Sequence, residues 1–187
     1  MASTASIAPV STTPTLRRLY LTRFVFAAAW AALLAASGSE LGLGTKLLLF
    51  VYPAFDVAAA VVDARSARTT GGGQVKGLYV NMAISTLAAV GLAIAAGSGI
   101  PDVLRVWGAW AVVSGLVQLL VGVARRAMGG QWPMILSGGI SILAGGSFFA
   151  SAGQDDPTLT TLAGYATLGG IFFLVSALRL PRAGSGR

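Results

Sequence analysis

Cysteine and histidine are both absent from this 187-residue chain. Their absence removes disulfides, thiol nucleophiles, imidazole bases and the usual zinc ligands together. Carboxylates are scarce as well, with 6 Asp and Glu against 13 Lys and Arg. Charged residues make up 10% of the chain, whereas a soluble domain carries about 25%. No phosphate-binding fingerprint is present either, because Gly71–Gly73 precede no suitable strand and helix and read as a plain loop. A membrane enzyme is therefore the least favoured class, and the expectation is a protein with no catalytic residues, no metal and no cofactor.

What the chain has is apolar surface. It is 55% hydrophobic with a mean hydropathy of +0.77, which points to the lipid bilayer as its main partner. The net charge of +7 and pI near 10.9 would suggest nucleic acid in a soluble chain. Here the basic residues sit between apolar runs, so anionic headgroups at the cytoplasmic face are the expected counter-ions and nucleic acid is set aside.

The stretch Gly108 to Arg126, GAWAVVSGLVQLLVGVARR, recurs along the chain. Tyr165 to Leu178, YATLGGIFFLVSAL, echoes it 55 residues later, and Tyr52 to Arg65, YPAFDVAAAVVDAR, does so 58 residues earlier. In each copy an aromatic (Tyr52, Trp110, Tyr165) stands four residues before a small or acidic one (Asp56, Ser114, Gly169). A period in the fifties with two apolar runs per period marks a repeated helical hairpin.

Residues 1–16 are rich in Ser, Thr, Ala and Pro without charge or periodicity and read as a disordered cytoplasmic arm. The following LRRLYLT, an apolar run and the patch AASGS also fit a cleavable export signal with paired arginines. Arg23 inside the apolar core argues against that reading. Six spans follow, at 19–36, 47–62, 77–96, 106–124, 132–152 and 159–178. The second is short for a crossing of roughly 30 Å unless its helix starts nearer Leu41 or Lys46 extends outward.

The connections alternate in character. ASGSELGLGT, AGSGIPD and AGQDDPT are turn material, whereas DARSARTTGGGQVK and RRAMGGQ carry positive charge. Arg17, Arg18, Arg23, Arg65, Arg68, Lys76, Arg125, Arg126, Arg179, Arg182 and Arg187 gather on one side, against Lys46 and Arg105 on the other. The bias toward cytoplasmic Lys and Arg predicts that both termini are cytoplasmic. The predicted fold is all-α: an integral membrane bundle of six transmembrane helices, built as three parallel helical hairpins with a pseudo-threefold internal repeat. The repeats are 17–66, 76–126 and 130–180 inside a membrane domain at 17–182, with a short tail at 183–187. The loop at 64–76 is predicted to be the most mobile internal segment.

Small residues line helix faces, notably Ser137, Ser141 and Gly145 on the fifth span, with Gly138 and Gly146 beside them. Close backbone packing explains such rows, and a pore lined by small residues is the alternative. Tyr20, Tyr79, Trp107, Trp110 and Trp132 lie near span ends and read as interfacial anchors, with an aromatic box at Trp107 and Trp110 as the alternative. Gln154, Asp155 and Asp156 before Pro157 read as a solvated helix cap rather than a cation site.

Polar residues within the spans are the candidate chemistry. Asp56 falls near mid-membrane, where an ionised carboxylate costs about 2.5–3.5 kcal/mol, so it needs a partner or a proton. Arg23 on the antiparallel first span differs from it in depth by about 6 Å, and a direct or water-bridged Arg23–Asp56 pair is expected. Asn81 with Ser85, and Ser114 with Gln118, are spaced four apart in the same half of the bilayer. Met134, Gly169 and Phe173 occupy the positions of the third repeat that match Asn81, Ser114 and Gln118. This set reads either as a buried network that fixes how the first two repeats dock or as a polar cavity or proton site.

In Gly108 to Arg126 with Gln131 and Trp132, LSGGISILAGG at 136–146, and GYATLGGIFFLVSALRL at 164–180, the chain resembles the HdeD family of acid-resistance membrane proteins. Trp110 with Ser114 and Gly115, and Tyr165 with Gly169 and Gly170, match its pattern of an aromatic, then a small or acidic residue and Gly, then an apolar run to Arg. Tyr52 with Asp56 keeps the acid but has Val57 where glycine is expected. The resemblance covers about 160 residues, and the second half of the chain matches better than the first. It implies a multi-pass protein of the bacterial inner membrane, non-enzymatic and linked in some members to envelope or acid stress. The alternative is a small proton- or solute-conducting carrier that uses the polar cluster around Asp56. Homo-oligomerisation stays open at this level.

Overall fold

A computed structural model describes residues 13–37, 40–69, 75–128 and 131–180. These residues are all-α. The helices are α1 (Thr13–Ala36), α2 (Leu43–Thr69), α3 (Val75–Ala95), α4 (Ile100–Ala124), α5 (Trp132–Ser151) and α6 (Thr160–Arg179), with a short 3-10 turn at Arg126–Met128 before α5. Each of the six is long and apolar enough to cross a membrane, which is the signature of a multi-pass membrane protein. Even the shortest, at 20 residues, gives about 30 Å at 1.5 Å per residue. Leu87, Ile94, Leu120 and Leu143 point outward and exposed, as expected where the solvent is lipid.

The helix ends correct the boundaries read from hydropathy. α1 starts at Thr13, so part of the expected arm is helical; residues 1–12 and the tail at 183–187 lie outside the described residues. α2 reaches from Leu43 to Thr69, so the span that looked short is 27 residues long. Of the loop expected at 64–76, residues 64–69 belong to α2 and 75–76 to α3, and residues 70–74 lie outside the described residues. Apolar run length stops at the first charge, but Ala and Arg in DARSAR are good helix formers and Arg68 suits the negative end of the helix dipole.

At the opposite end the turns are tight. Gly99 has φ of 132°, a value that side-chain-bearing residues rarely adopt. Pro101 then sits in the first turn of α4, where its missing N–H costs nothing. Asp102 there pairs with Arg105 at 2.7 Å. Pro53 lies inside α2 and is buried. It removes the N–H that would bond the carbonyl of Leu49, and in that same turn Trp30 Nε1 donates to the carbonyl of Leu48 at 2.7 Å.

Every helix packs on both its chain neighbours, and α6 packs back on α1, so the six close into an antiparallel ring. The most extensive seams are α4–α5, α1–α6 and α2–α3; contact within α1–α2 and α5–α6 is much smaller. Glycine explains the first seam. A Cβ on Gly115 would stand 2.7 Å from the carbonyl of Gly138, and one on Gly138 would stand 2.7 Å from that of Gly115. Gly108 and Gly145 face each other in the same reciprocal way. The packed row on α5 is Gly138, Ser141, Gly145 and Phe148, all buried. It takes the place of the straight Ser137, Ser141, Gly145 row, because a right-handed helix keeps a face with steps of three and four.

The large buried side chains sit together in the half of the bundle away from the arginines. Trp30, Leu34, Leu49, Leu92, Leu104, Trp107, Phe148, Leu159 and Leu162 belong to one contiguous hydrophobic cluster. Toward the arginine-rich end the buried positions are small: Ala59, Ala60, Ala64, Ser85, Ser141 and Ala177. The bundle is therefore plugged with bulk at one end and filled with small and polar groups at the other.

Candidate functional site

Asp56 is the centre of the polar set. Its Oδ2 accepts hydrogen bonds from Asn81 Nδ2 and Ser85 Oγ, both at 2.8 Å. The four-residue spacing of Asn81 and Ser85 presents both donors from one face of α3 to the α2 carboxylate. Its Oδ1 faces Arg23 Nη2 on α1 at 3.7 Å, an ion pair beyond hydrogen-bond length. The two side chains keep exposures of 12% for Arg23 and 22% for Asp56, so neither is sealed off completely.

Arg23 is held from a second side, with its guanidinium carbon 4.9 Å from the centroid of the Phe173 ring on α6. Phe173 also stacks on Tyr20, with centroids 6.2 Å apart. Ser85 passes the network onward: its Oγ accepts from Trp110 Nε1 at 3.3 Å. One chain of contacts thus links α1, α2, α3 and α4. Ser114 does not join it through its hydroxyl, which bonds its own helix at the carbonyl of Trp110, 2.6 Å away. Gln118 Oε1 is buried and has no partner among the described residues, and the same holds for Arg17 Nε, Arg23 Nε and Trp107 Nε1.

Two of the expected interfacial anchors are turned into the bundle. Trp107 is 0% exposed, at the heart of an aromatic cluster, and Trp110 beside it is half-buried with its N–H committed to Ser85. Being near the end of an apolar run misled here, because α4 begins at Ile100, seven residues before Trp107. The rings fill one another's faces: Trp30 stacks on Trp107 with centroids 5.3 Å apart, and Tyr52 and Trp110 close on Trp107 at 5.5 and 5.2 Å. Trp107 and Trp30 are buried between the other rings, so the cluster is built as a packed plug rather than as an aromatic box. Trp132 is 77% exposed and Tyr79 is 41% exposed with Arg68 over its ring at 5.4 Å. Tyr20 is half-buried against Phe173.

A second polar contact escaped sequence reasoning. Tyr165 donates its hydroxyl to Ser141 Oγ at 2.9 Å, tying α6 to α5. It has the same form as Trp110 to Ser85, an aromatic on the later helix of a pair donating to a serine on the earlier one. The signal was available in the spacing, 25 residues from Ser85 to Trp110 and 24 from Ser141 to Tyr165. The matching residue 25 before Tyr52 is Ala27, which has no hydroxyl. There Tyr52 packs instead on Phe26 and Trp30. Ser137 stands four residues before Ser141, as Asn81 does before Ser85.

Two hollows lie on the bundle surface. One of about 410 Å³ sits at the α1–α2 turn, lined by Ser37, Glu40, Thr45 and their neighbours. The other, of about 240 Å³, is an apolar groove between α3 and α4. Asp56 lines neither. Gln154, Asp155 and Asp156 are exposed, and among the described residues no three carboxylates gather where a metal ion could be held. No protein-family model matches the chain, and neither does any curated protein or any solved structure.

Proposed function

We propose that the chain is a non-enzymatic protein of the HdeD type, seated in a bacterial inner membrane with its arginine-rich end in the cytoplasm. In this reading it acts through a closed bundle and its contacts with lipid, in the response to envelope or acid stress. Three parallel hairpins, α1–α2, α3–α4 and α5–α6, make up the bundle. The observation that carries the closed-bundle reading is the plug: Leu49, Trp107 and Leu162, at matching positions of the three repeats, are each 0% exposed. A side-chain layer packed that tightly leaves no standing conduit.

The hairpin repeat draws support from the paired Trp110–Ser85 and Tyr165–Ser141 contacts. The three extensive seams, one at each junction between hairpins, support it further. Cytoplasmic placement of the arginine-rich end follows from the charge bias, and anionic lipids are its natural counter-ions there. The absence of enzymatic chemistry follows from a chain without His or Cys, whose one deeply placed carboxylate is already engaged by three partners.

The experiment is flux through purified protein in liposomes under a proton or solute gradient. No flux is expected, with Asp56→Asn indistinguishable from the parent. Flux abolished by Asp56→Asn would replace this reading with the carrier reading. That second reading has one observation in its favour, the unpartnered buried atoms Gln118 Oε1 and Arg23 Nε near an incompletely sealed carboxylate.

A further inference from the structure

The asymmetry of the core has a consequence for water. On α4, Leu104, Trp107, Ala111, Gly115 and Gln118 follow one another at steps of three and four and so share the inner face. The first four are buried, and polar atoms without partners stand at two levels of this stripe, Trp107 Nε1 and Gln118 Oε1. They are eleven residues apart, about 16 Å along the axis. The level of Asp56, Ser85 and Ser114 falls between them.

In hydrocarbon an unsatisfied polar group costs several kcal/mol, and buried polar atoms that lack a protein partner are ordinarily satisfied by ordered water. Toward the arginine-rich end the fully buried residues are small, Ala60, Ser85 and Ala177 among them, and the bulk there is Phe173 and Tyr20 packed beside Arg23. At the level of Trp107 they are Trp30, Leu49 and Leu162, in one packed cluster. The Arg23–Asp56 separation of 3.7 Å and the residual exposure of both side chains lie on the open side of that boundary.

We infer that the bundle holds a one-ended, water-filled vestibule. It opens at the arginine-rich end, runs past Gln118 and Ser114 to the Asp56–Arg23 pair, and stops at the aromatic layer of Trp30, Tyr52 and Trp107. Its ligand is water; neither the hollow at the α1–α2 turn nor the groove between α3 and α4 is lined by Asp56. The vestibule would hydrate the Asp56–Arg23 pair from one face of the membrane only. This inference rests on the packing asymmetry and is independent of the HdeD-type reading.

The test uses the natural absence of cysteine and a water-sized thiol reagent, silver ion in chloride-free buffer. Single cysteines are placed in the full chain at Ser114, Gln118, Leu49 and Leu162. Ala127→Cys and Gln154→Cys, at exposed positions on opposite ends, report which face a membrane preparation presents. Thiols left free are counted with a fluorescent maleimide after denaturation. Ser114→Cys and Gln118→Cys are expected to be blocked at least about tenfold faster in the preparation that blocks Ala127→Cys than in the one that blocks Gln154→Cys. Leu49→Cys and Leu162→Cys are expected to stay free in both.

Blocking of Ser114→Cys from both faces would mean an open pore and would overturn both this inference and the closed-bundle reading. Protection of Ser114→Cys and Gln118→Cys from both faces would mean a dry core and would overturn this inference alone. Ser114→Cys exchanges one oxygen for sulfur and serves as the variant least able to disturb folding. Monodisperse elution of each variant in detergent shows that its thiol is read in the assembled bundle.

Discussion

Gly138 and Gly139 are adjacent on α5, yet adding one methyl group to each should act in opposite directions. At Gly138 the new Cβ would meet the carbonyl oxygen of Gly115 and the amide nitrogen of Leu119, both at 2.7 Å. Ordinary contact begins near 3.4 Å, so the α4–α5 seam must open by about 0.7 Å, and no side chain can rotate to absorb it because the obstacles are backbone. Overpacking of this kind costs about 1–3 kcal/mol, and opening the seam also weakens the Gly108–Gly145 approach two turns away. At Gly139 nothing lies within 4 Å. Gly139→Ala therefore meets only the helix-propensity difference, a gain of up to about 1 kcal/mol. Unfolding of both variants in mixed micelles, followed by the fluorescence of the chain's 4 tryptophans, measures the difference. A Gly138→Ala protein as stable as Gly139→Ala would refute the backbone-contact account of the seam.

Other expectations concern the polar contacts and one turn. Asp56→Ala strips acceptors from Asn81, Ser85 and Arg23. It should cost about 1–4 kcal/mol, between two interhelical bonds at their usual membrane strength and a broken buried ion pair. Asp56→Asn keeps an oxygen for α3 and should cost less in the same unfolding assay; equal losses would assign the effect to the Arg23 charge alone. Tyr165→Phe and Ser141→Ala should each cost about 0.6 kcal/mol and be non-additive in a double-mutant cycle, since each removes the same 2.9 Å bond; full additivity would show that the bond contributes nothing. Gly99→Ala forces a Cβ into a backbone with φ of 132° and should cost about 1–3 kcal/mol, read as a lowered midpoint of thermal unfolding.

The helices were legible in composition because lipid imposes one requirement, an uninterrupted apolar run of sufficient length, and the chain satisfies it six times. Their ends were not. Helical hydrogen bonding carries α2 on through DARSAR to Thr69, past the charges that end the apolar run. The Asp56 cluster was legible because a carboxylate at that depth must find partners, and antiparallel geometry left few within reach. The burial of Trp107 was not legible for a physical reason: an indole suits both a membrane interface and a buried layer, and only the neighbours decide. Those neighbours, Trp30 and Tyr52, arrive from other helices, so no local pattern on α4 could announce them. The same holds for the α1–α6 seam, which joins the two ends of the chain.

That seam is where the account is most exposed to a single measurement. A Cβ on Gly170 would lie 3.3 Å from Cβ of Ala27, close to the separation of about 3.8 Å in disulfides. In a chain with no other cysteine, Ala27→Cys with Gly170→Cys should oxidise to an internal disulfide in membranes. Ala27→Cys paired with a cysteine at outward-facing Leu168 should not. Crosslinking of the first pair alone is the result expected of a closed six-helix ring; failure of that pair to crosslink while the control pair reacts would contradict the ring itself.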